Sequence, residues 1–141
     1  MINREVVVGL MKSGNLAYDQ IHTTLQPFEL TLQQFNVLRI LRGRKGSASS
    51  LESITQHMIQ RMSNTSRLVD RLIAKGLAHR ETCVNNRRKV EIFITKKGLD
   101  LLKDIDPVLD TKEEEITSSL SIQEMEHLLQ LLTKLKSKIN I

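Results

Sequence analysis

The amino-acid sequence predicts a mainly α (α+β) fold, because apolar residues recur at helical spacing along most of the chain and a single stretch alternates as a strand does. A length of 141 residues leaves room for one domain with helical appendages. Aromatic residues make up 3% of the chain and tryptophan is absent, so the core depends on Leu, Ile, Val and Met. Such a core favours packed helices over a sheet sandwich.

Two helices are predicted in the first third of the chain. The first covers about residues 3–26, with Gly14 as the candidate position for a bend and Pro27 as its end. Thr31 and Gln34 form a capping-box pattern that starts the second helix, and Gly43 is its predicted stop. The apolar stripe of the second helix is Phe35, Leu38 and Leu41.

Two polar clusters predict the next helix starts. Residues 49–52 (SSLE) repeat the capping-box pattern ahead of a short third helix. Residues 63–66 (SNTS) open a fourth helix, and Gly76 lies just past its end. The inward face of this fourth helix is Leu68, Val69, Leu72 and Ile73.

The period of the sequence then changes from helix to strand. Lys89–Thr95 alternates between polar and apolar residues, and Leu77–Cys83 can pair with it across a turn that contains Asn85 and Asn86. These segments predict a β-hairpin.

Two more helices complete the predicted fold. Thr95 caps a fifth helix that runs through Leu99, Leu102, Ile105 and Leu109, with Pro107 as a kink or a break inside it. Ser121 and Glu124 form a further capping box at the start of the last helix. Its apolar stripe is Met125, Leu128, Leu132, Leu135 and Ile139.

Charge is segregated along the chain. The formal net charge is +5, but Arg61–Lys97 holds ten basic residues against three acidic ones, a net +7. Gly98–Leu120 holds seven acidic residues against two basic ones, a net −5. The middle of the chain is therefore expected to meet a polyanion.

The fourth helix has the side chains that a recognition helix needs. Asn64, Arg67 and Arg71 lie opposite its leucine face, and arginine and asparagine pair with the guanine and adenine edges in the major groove of DNA. Ser63, Thr65 and Ser66 add hydroxyl groups at the positive end of the helix, where phosphate is favoured. The alternative is a surface helix whose polar residues are only solvated.

The predicted hairpin favours the first interpretation. Arg87, Arg88 and Lys89 lie together at its tip, away from the apolar face of the strand. Such a tip can follow the phosphate backbone or place an arginine in a minor groove.

The motifs of this chain resemble those of the MarR family of winged helix-turn-helix transcriptional regulators. The resemblance covers residues 30 to about 135. Its motifs lie in the leading helix, the recognition helix, the two wing strands and the last helix: Leu32–Leu38, Ser66–Leu72, Lys75–Leu77, Arg80, Asn86–Arg88, Ile94, Thr95, Gly98, Leu120, Ser121 and Glu124. The family usually has Asp at the position of Asn86, where a carboxylate would fix Arg88 by an ion pair.

The resemblance implies a homodimer in which the first, fifth and last helices intertwine. The expected organisation is an N-terminal dimerisation helix at 1–28, a winged helix-turn-helix DNA-binding domain at 29–97 and C-terminal dimerisation helices at 98–141. The expected DNA-binding residues are Ser63, Asn64, Thr65, Ser66, Arg67, Arg71, Arg87, Arg88 and Lys89. Twofold symmetry would present two recognition helices to the half-sites of a pseudo-palindromic operator, ~34 to 36 Å apart.

The expected function is that of a sequence-specific, double-stranded DNA-binding regulator, a cytoplasmic homodimeric repressor released by a small effector bound where the dimerisation and DNA-binding regions meet. One alternative is a winged-helix module whose basic face binds an acidic protein. A weaker alternative is a small-molecule enzyme that uses the cleft beneath the helices.

Catalytic, cofactor, metal and membrane roles are not expected. The chain has no Gly-rich phosphate loop, nucleophile elbow or HExxH motif, and no apolar run long enough to span a membrane. His79 and Cys83 lie four residues apart in a predicted strand, ~13 Å, which is too far for one metal ion. The single Cys83 is expected to be a packed or inert thiol.

Overall fold

The structure, a computed structural model, describes residues 1–59 and 64–139, and at positions 87 and 88 it describes the backbone alone. The described part of the chain forms six α-helices and one two-stranded antiparallel sheet: α1 (Ile2–Leu25), α2 (Leu32–Gly43), α3 (Leu51–His57), α4 (Thr65–Ala74), β1 (Ala78–Cys83), β2 (Asn86–Ile94), α5 (Lys96–Thr117) and α6 (Ile122–Ile139). The predicted mainly α fold with one hairpin is confirmed.

The first helix has the predicted length and starts and ends one residue earlier than predicted. α1 continues through Gly14 without a break and ends at Leu25, where a short 3-10 turn that contains Pro27 follows. Glu29 then adopts a left-handed conformation with φ of 57°, which turns the chain toward α2.

The core is built around α2. The predicted capping box is present, since the Thr31 side chain accepts from the N–H of Gln34 and the Gln34 side chain accepts from the N–H of Thr31. α2 contacts α1, α3, α4, α5 and β2, which buries its apolar residues completely or nearly so: Leu32, Phe35, Val37, Leu38 and Leu41. Gly43 is the last helical residue, and the left-handed conformations that reverse the chain are at Lys45 and Gly46.

The start of α3 differs from the predicted capping box. Ser50, not Ser49, is the cap, and its hydroxyl accepts from the N–H of Ser53. Ser49 instead exchanges two backbone hydrogen bonds with Ile92 of β2, with N···O distances of 3.0 and 2.9 Å. This isolated bridge connects the segment just before α3 to strand β2 of the hairpin.

α4 has the predicted two faces and the predicted end. Leu68, Val69 and Leu72 are buried, while Ile73 is half-buried against the same core. Gly76 has φ of 74°, and the N–H of Leu77 reaches back to the carbonyl of Leu72, which satisfies a carbonyl that the helix end leaves open.

The hairpin forms with a turn one residue earlier than predicted. Cys83 pairs with Asn86, so the two turn residues are Val84 and Asn85. Neither turn residue has a positive φ, because the described non-glycine residues with positive φ are Glu29 and Lys45. The register then shifts, because Thr82 pairs with Val90. The three residues of β2 between these two pairs, 87–89, have no partner in β1.

The C-terminal helices contrast in their burial. Thr95 caps α5 as predicted, and Leu102, Ile105 and Leu109 are buried, but Leu99 is exposed because Gly98, not Leu99, continues that stripe. Pro107 lies inside a continuous helix, which excludes the break, one of the two alternatives that the sequence left open at this position. α6 begins with the predicted capping box between Ser121 and Glu124, and no residue of Ile122–Ile139 is buried. Among the helices described here, none combines the length and hydropathy needed to cross a bilayer.

Candidate nucleic-acid interface

The outward face of α4 holds the polar residues that the sequence placed there. Asn64, Arg67 and Arg71 are exposed, opposite the buried Leu68 and Leu72. In the described part of the chain, neither arginine makes an ion pair or a hydrogen bond through its side chain. Both guanidinium groups are therefore available to an external ligand.

Thr65 does not share this face, and the prediction that it faces outward is wrong. Its side chain is 5% exposed, and its hydroxyl lies 2.6 Å from the hydroxyl of Thr55 in α3. The spacing explains the burial, because position 65 lies three and seven residues before Leu68 and Leu72. Thr65 fixes α4 against α3 instead.

Among the described residues, no side chain caps the first turn of α4. Asn64 stands at the N-cap position without a capping bond from its side chain, and Ser66 is exposed beside it. N–H groups at a helix start attract anions, which suits a phosphate position next to the arginines. Ser63, also predicted here, lies outside the described residues.

An ion pair that the sequence patterns did not predict joins α4 to the hairpin. Arg80 of β1 donates to the carboxylate of Asp70, which is the one acidic residue on α4. The pair offsets a negative charge that would face a polyanion beside Arg67 and Arg71. In the sequence, an acidic residue on the otherwise basic α4 indicates that Asp70 needs a cationic partner. That this partner is Arg80 follows only from the position of β1 against α4.

The cationic residues of the hairpin lie in positions 87–89 of β2, where the pairing with β1 is interrupted. Lys89 is exposed, and the backbone of positions 87 and 88 lies with it in the stretch that has no partner in β1. The turn itself carries Val84, whose side chain is 98% exposed. The basic residues thus follow the tip in β2 and do not form the turn.

An open cavity of about 670 Å³ lies between α1, α2 and α5. Its apolar lining comes from Ala17, Ile21, Leu32, Phe35, Ile59 and Leu109, and its polar lining includes Tyr18, Asn36 and Arg39. The cavity therefore touches both the predicted dimerisation helices and the predicted DNA-binding domain.

A bidentate ion pair joins α2 to α5 near the cavity. The Arg42 guanidinium donates to both carboxylate oxygens of Asp106, at 2.8 and 3.1 Å. Arg42 lies one turn beyond Arg39 on α2, and Asp106 lies one turn before Leu109 on α5. The spacing of α2 and α5 at the cavity is thus fixed by a geometrically specific contact.

Large apolar side chains remain exposed on the terminal helices. On α6 they include Leu128, Leu129, Leu131 and Leu135, each at least 40% exposed, and on α1 they include Val7 and Met11. Apolar patches of this kind are typical of association surfaces.

Among the described residues, no group of three or more His, Cys, Asp or Glu side chains is arranged to hold a metal ion. Cys83 is half-buried and reduced.

Comparison with known proteins agrees with this geometry. The family model described as MarR family matches residues 30–90. AbsC, a MarR family transcriptional regulator from Streptomyces coelicolor, superimposes with a TM-score of 0.87 at 20% identity, with 97% of this chain and 93% of AbsC covered.

Two further similar structures are of proteins that bind operator DNA or are regulated by a small molecule. A variant of MarR from Escherichia coli in complex with operator DNA has a TM-score of 0.83 at 22% identity, with 96% of this chain and 97% of that chain covered. BpsR from Bordetella bronchiseptica, whose DNA binding is regulated by 6-hydroxynicotinic acid, has a TM-score of 0.84 at 23% identity, with 94% and 98% covered. These likenesses establish the winged-helix fold, and the match of residues 30–90 to the MarR family model is consistent with the sequence motifs.

Proposed function

We propose that this protein is a sequence-specific double-stranded DNA-binding transcriptional regulator that acts in the cytoplasm as a homodimeric, ligand-responsive repressor and not as an enzyme. The observation that carries the proposal is the outward face of α4, where Asn64, Arg67 and Arg71 are exposed and the two arginines lack partners in the described chain. A helix with this face fits the major groove.

The division of labour follows from the position of each group. Asn64 and Arg67 contact base edges, and Arg71 contacts a base or a phosphate. Ser63 likewise contacts a base or a phosphate, and the hydroxyl of Ser66 lies where phosphate is favoured. Arg87, Arg88 and Lys89 reach the adjacent minor groove and its backbone, because they follow the tip of the hairpin.

Dimerisation is assigned to residues 1–28 and 98–141, and DNA binding to residues 29–97. The support is the burial pattern: α6 has no buried residue within 122–139, although its apolar side chains need a partner. A twofold dimer places two copies of α4 on half-sites of a pseudo-palindromic operator.

The effector is assigned to the cavity between α1, α2 and α5. A ligand there would contact helices of both regions, so it can favour one arrangement of the two DNA-binding domains over another. This assignment is supported by BpsR, a protein of similar fold whose DNA binding is regulated by 6-hydroxynicotinic acid.

The decisive experiment is a binding titration of the full chain on DNA from its own promoter region and on a scrambled duplex, at several salt concentrations. Specific DNA binding predicts an affinity on the promoter DNA ~10³-fold or more above that on scrambled DNA, and a steep fall of log affinity with log salt. Equal, weak affinity for both duplexes would instead favour the acidic-protein partner.

Arg67→Ala tests the base-reading role. We expect a loss of ~1 to 3 kcal/mol on the preferred operator and relaxed discrimination at one base pair, because a bidentate arginine contact is removed. Competition titrations with operators substituted at each position measure both effects. An equal loss on every sequence would contradict the assigned role.

Lys89→Ala tests the backbone role. Its exposed ammonium group is expected to neutralise phosphate, so its removal should weaken binding to specific and scrambled DNA alike. The slope of log affinity against log salt should become shallower by about one phosphate contact. A change confined to the specific operator would show that Lys89 reads sequence instead.

A further inference from the structure

The start of α4 is joined to α3 by a hydrogen bond between two threonine hydroxyl groups. The Oγ1 atoms of Thr55 and Thr65 lie 2.6 Å apart, and Thr65 is 5% exposed. Thr55 donates its single hydroxyl proton to the carbonyl oxygen of Leu51 in the same helix, at 2.8 Å. The Thr65 hydroxyl therefore donates and the Thr55 oxygen accepts, so the contact between the two helices has a defined direction.

This hydrogen bond lies beside the residues that read DNA in the proposed function. Thr65 is the first residue of α4, next to Asn64 and two positions before Arg67. Within residues 1–59 and 64–139 it makes the one side-chain hydrogen bond that connects α3 to α4. A change in this bond would therefore act first on the base-reading end of the helix.

The second half of α4 is fixed by different contacts. Leu72 is fully buried, and its carbonyl oxygen accepts the N–H of Leu77 at 2.9 Å. The ion pair between Asp70 and Arg80 joins the same half to β1. α4 has 10 residues and is about 15 Å long, so a tilt of about 4° around its fixed end moves its start by about 1 Å.

A hydrogen bond restricts this tilt more narrowly than apolar packing does. The buried Leu68 and Val69 hold α4 on the core, but hydrophobic attraction has no preferred direction. A hydrogen bond requires a short distance and a nearly straight donor angle. Base recognition requires the reading side chains to be placed within about 0.5 Å of the productive geometry. A directional contact at the first turn of α4 meets this requirement.

We infer that the hydrogen bond between Thr55 and Thr65 sets the angle at which α4 meets the major groove. Both threonines are then positioning residues, which act through Asn64 and Arg67 and do not touch DNA themselves. The inference rests on the proposed DNA-binding function and names two residues that determine its sequence specificity.

Thr65→Val in the full chain removes the donor and keeps the shape of the side chain. We expect its affinity for the promoter DNA to fall ~10-fold, the effect of one weakened base contact. Its affinity for the scrambled duplex should stay within ~2-fold, because phosphate contacts carry that binding. Thr65→Ser keeps the hydroxyl group and should retain the preference of the wild type for promoter DNA within about 3-fold.

A pair of variants separates positioning from stability. Thr55→Val leaves the buried Thr65 hydroxyl without its acceptor, so the midpoint of chemical denaturation should fall. Thr55→Val/Thr65→Val replaces both polar groups with apolar groups of the same shape, so the midpoint should return close to that of the wild type. The double variant should nevertheless discriminate as poorly as Thr65→Val, because apolar packing restores the stability and not the direction of the contact.

Arg67→Ala in the Thr65→Val background tests whether the threonine acts through the arginine. The substitution should cost less affinity for promoter DNA there than in the wild type, because Arg67 is already misplaced. Ile105→Val is the stability control. Ile105 is fully buried in α5, so this variant should lower the denaturation midpoint while its preference for promoter DNA stays that of the wild type.

The outcomes separate the inference from the proposed function. An unchanged preference in Thr65→Val, recovery of that preference in the double valine variant, or strictly additive effects of Thr65→Val and Arg67→Ala would each overturn the positioning role. A wild-type protein that binds promoter and scrambled DNA equally would instead overturn the proposed function itself, before any variant is compared.

Discussion

Gly98→Ala is expected to lower the free energy of unfolding by about 2 to 3 kcal/mol, although alanine is the better helix former. Gly98 lies in the first turn of α5, where its N–H donates to the Thr95 hydroxyl at 3.1 Å. A Cβ atom at this position would overlap the backbone carbonyl oxygen of Leu77 and would lie 2.7 Å from Cγ1 of Ile94. The carbonyl cannot move freely, because it accepts the N–H of Thr95 at 3.1 Å.

The physical reason for this large effect is that three elements meet at one point. The turn after α4, the end of β2 and the start of α5 approach so closely that only a residue without a side chain fits. Displacing them would also disturb the DNA-binding surface, since α4 ends at this junction.

Chemical denaturation of Gly98→Ala and the wild type at equal protein concentration measures the difference, because the stability of a dimer depends on concentration. Gly14→Ala is the matched control. Nothing lies within 4 Å of a Cβ built at Gly14 in the middle of α1, so this change should stabilise the protein by ~0.5 to 1 kcal/mol. If Gly98→Ala unfolds with the same free energy as the wild type, then the contact between Leu77, Ile94 and the start of α5 can widen without a loss of stability, and the prediction is wrong.

The double variant Leu128→Asp/Leu135→Asp is expected to convert the proposed dimer into monomers and to weaken operator binding by ~100-fold or more. These leucines are seven residues apart on α6 and are 45% and 40% exposed in the single chain. If α6 packs against a second copy, each substitution removes apolar burial and places a charge in the contact. Operator binding falls because one half-site alone loses the effective concentration that the dimer provides.

Sedimentation analysis across a range of concentrations reports the oligomeric state, and the promoter titration reports the affinity. Gln130→Asp/Ser137→Asp introduces the same number of charges on the opposite side of α6, where both residues are exposed. This control should remain dimeric. A dimeric leucine variant, or an equally monomeric control, would contradict the assignment of the α6 stripe to dimerisation.

Local sequence patterns predicted most of the helices correctly because their causes lie within one or two turns of chain. The capping boxes at Thr31 and Ser121 involve residues three positions apart, and both are present. The two faces of α4 follow from the same short spacing, so helical periodicity alone was enough to place Arg67 and Arg71 on the outward face. The hairpin was predicted from its alternation, which is also a local property.

The errors arose where a distant partner decided the outcome. Ser49 was interpreted as part of a capping box, but it pairs with Ile92, 43 positions away. Thr65 was assigned to DNA, but its hydroxyl contacts Thr55 in the preceding helix. The shift of the turn to Val84 and Asn85 depends on the register of β2 against β1, which no short window of sequence defines.

The sequence by itself determined the helical composition, the position of the basic residues and the similarity of residues 30–90 to the MarR family model. Only the tertiary structure decided that Asp70 meets Arg80, that Arg42 meets Asp106, and that a pocket lies between α1, α2 and α5. The reason is that helix caps and amphipathic faces depend on neighbours along the chain. Ion pairs, close approaches and cavities depend instead on how separate elements pack, which is settled by the burial of the whole core.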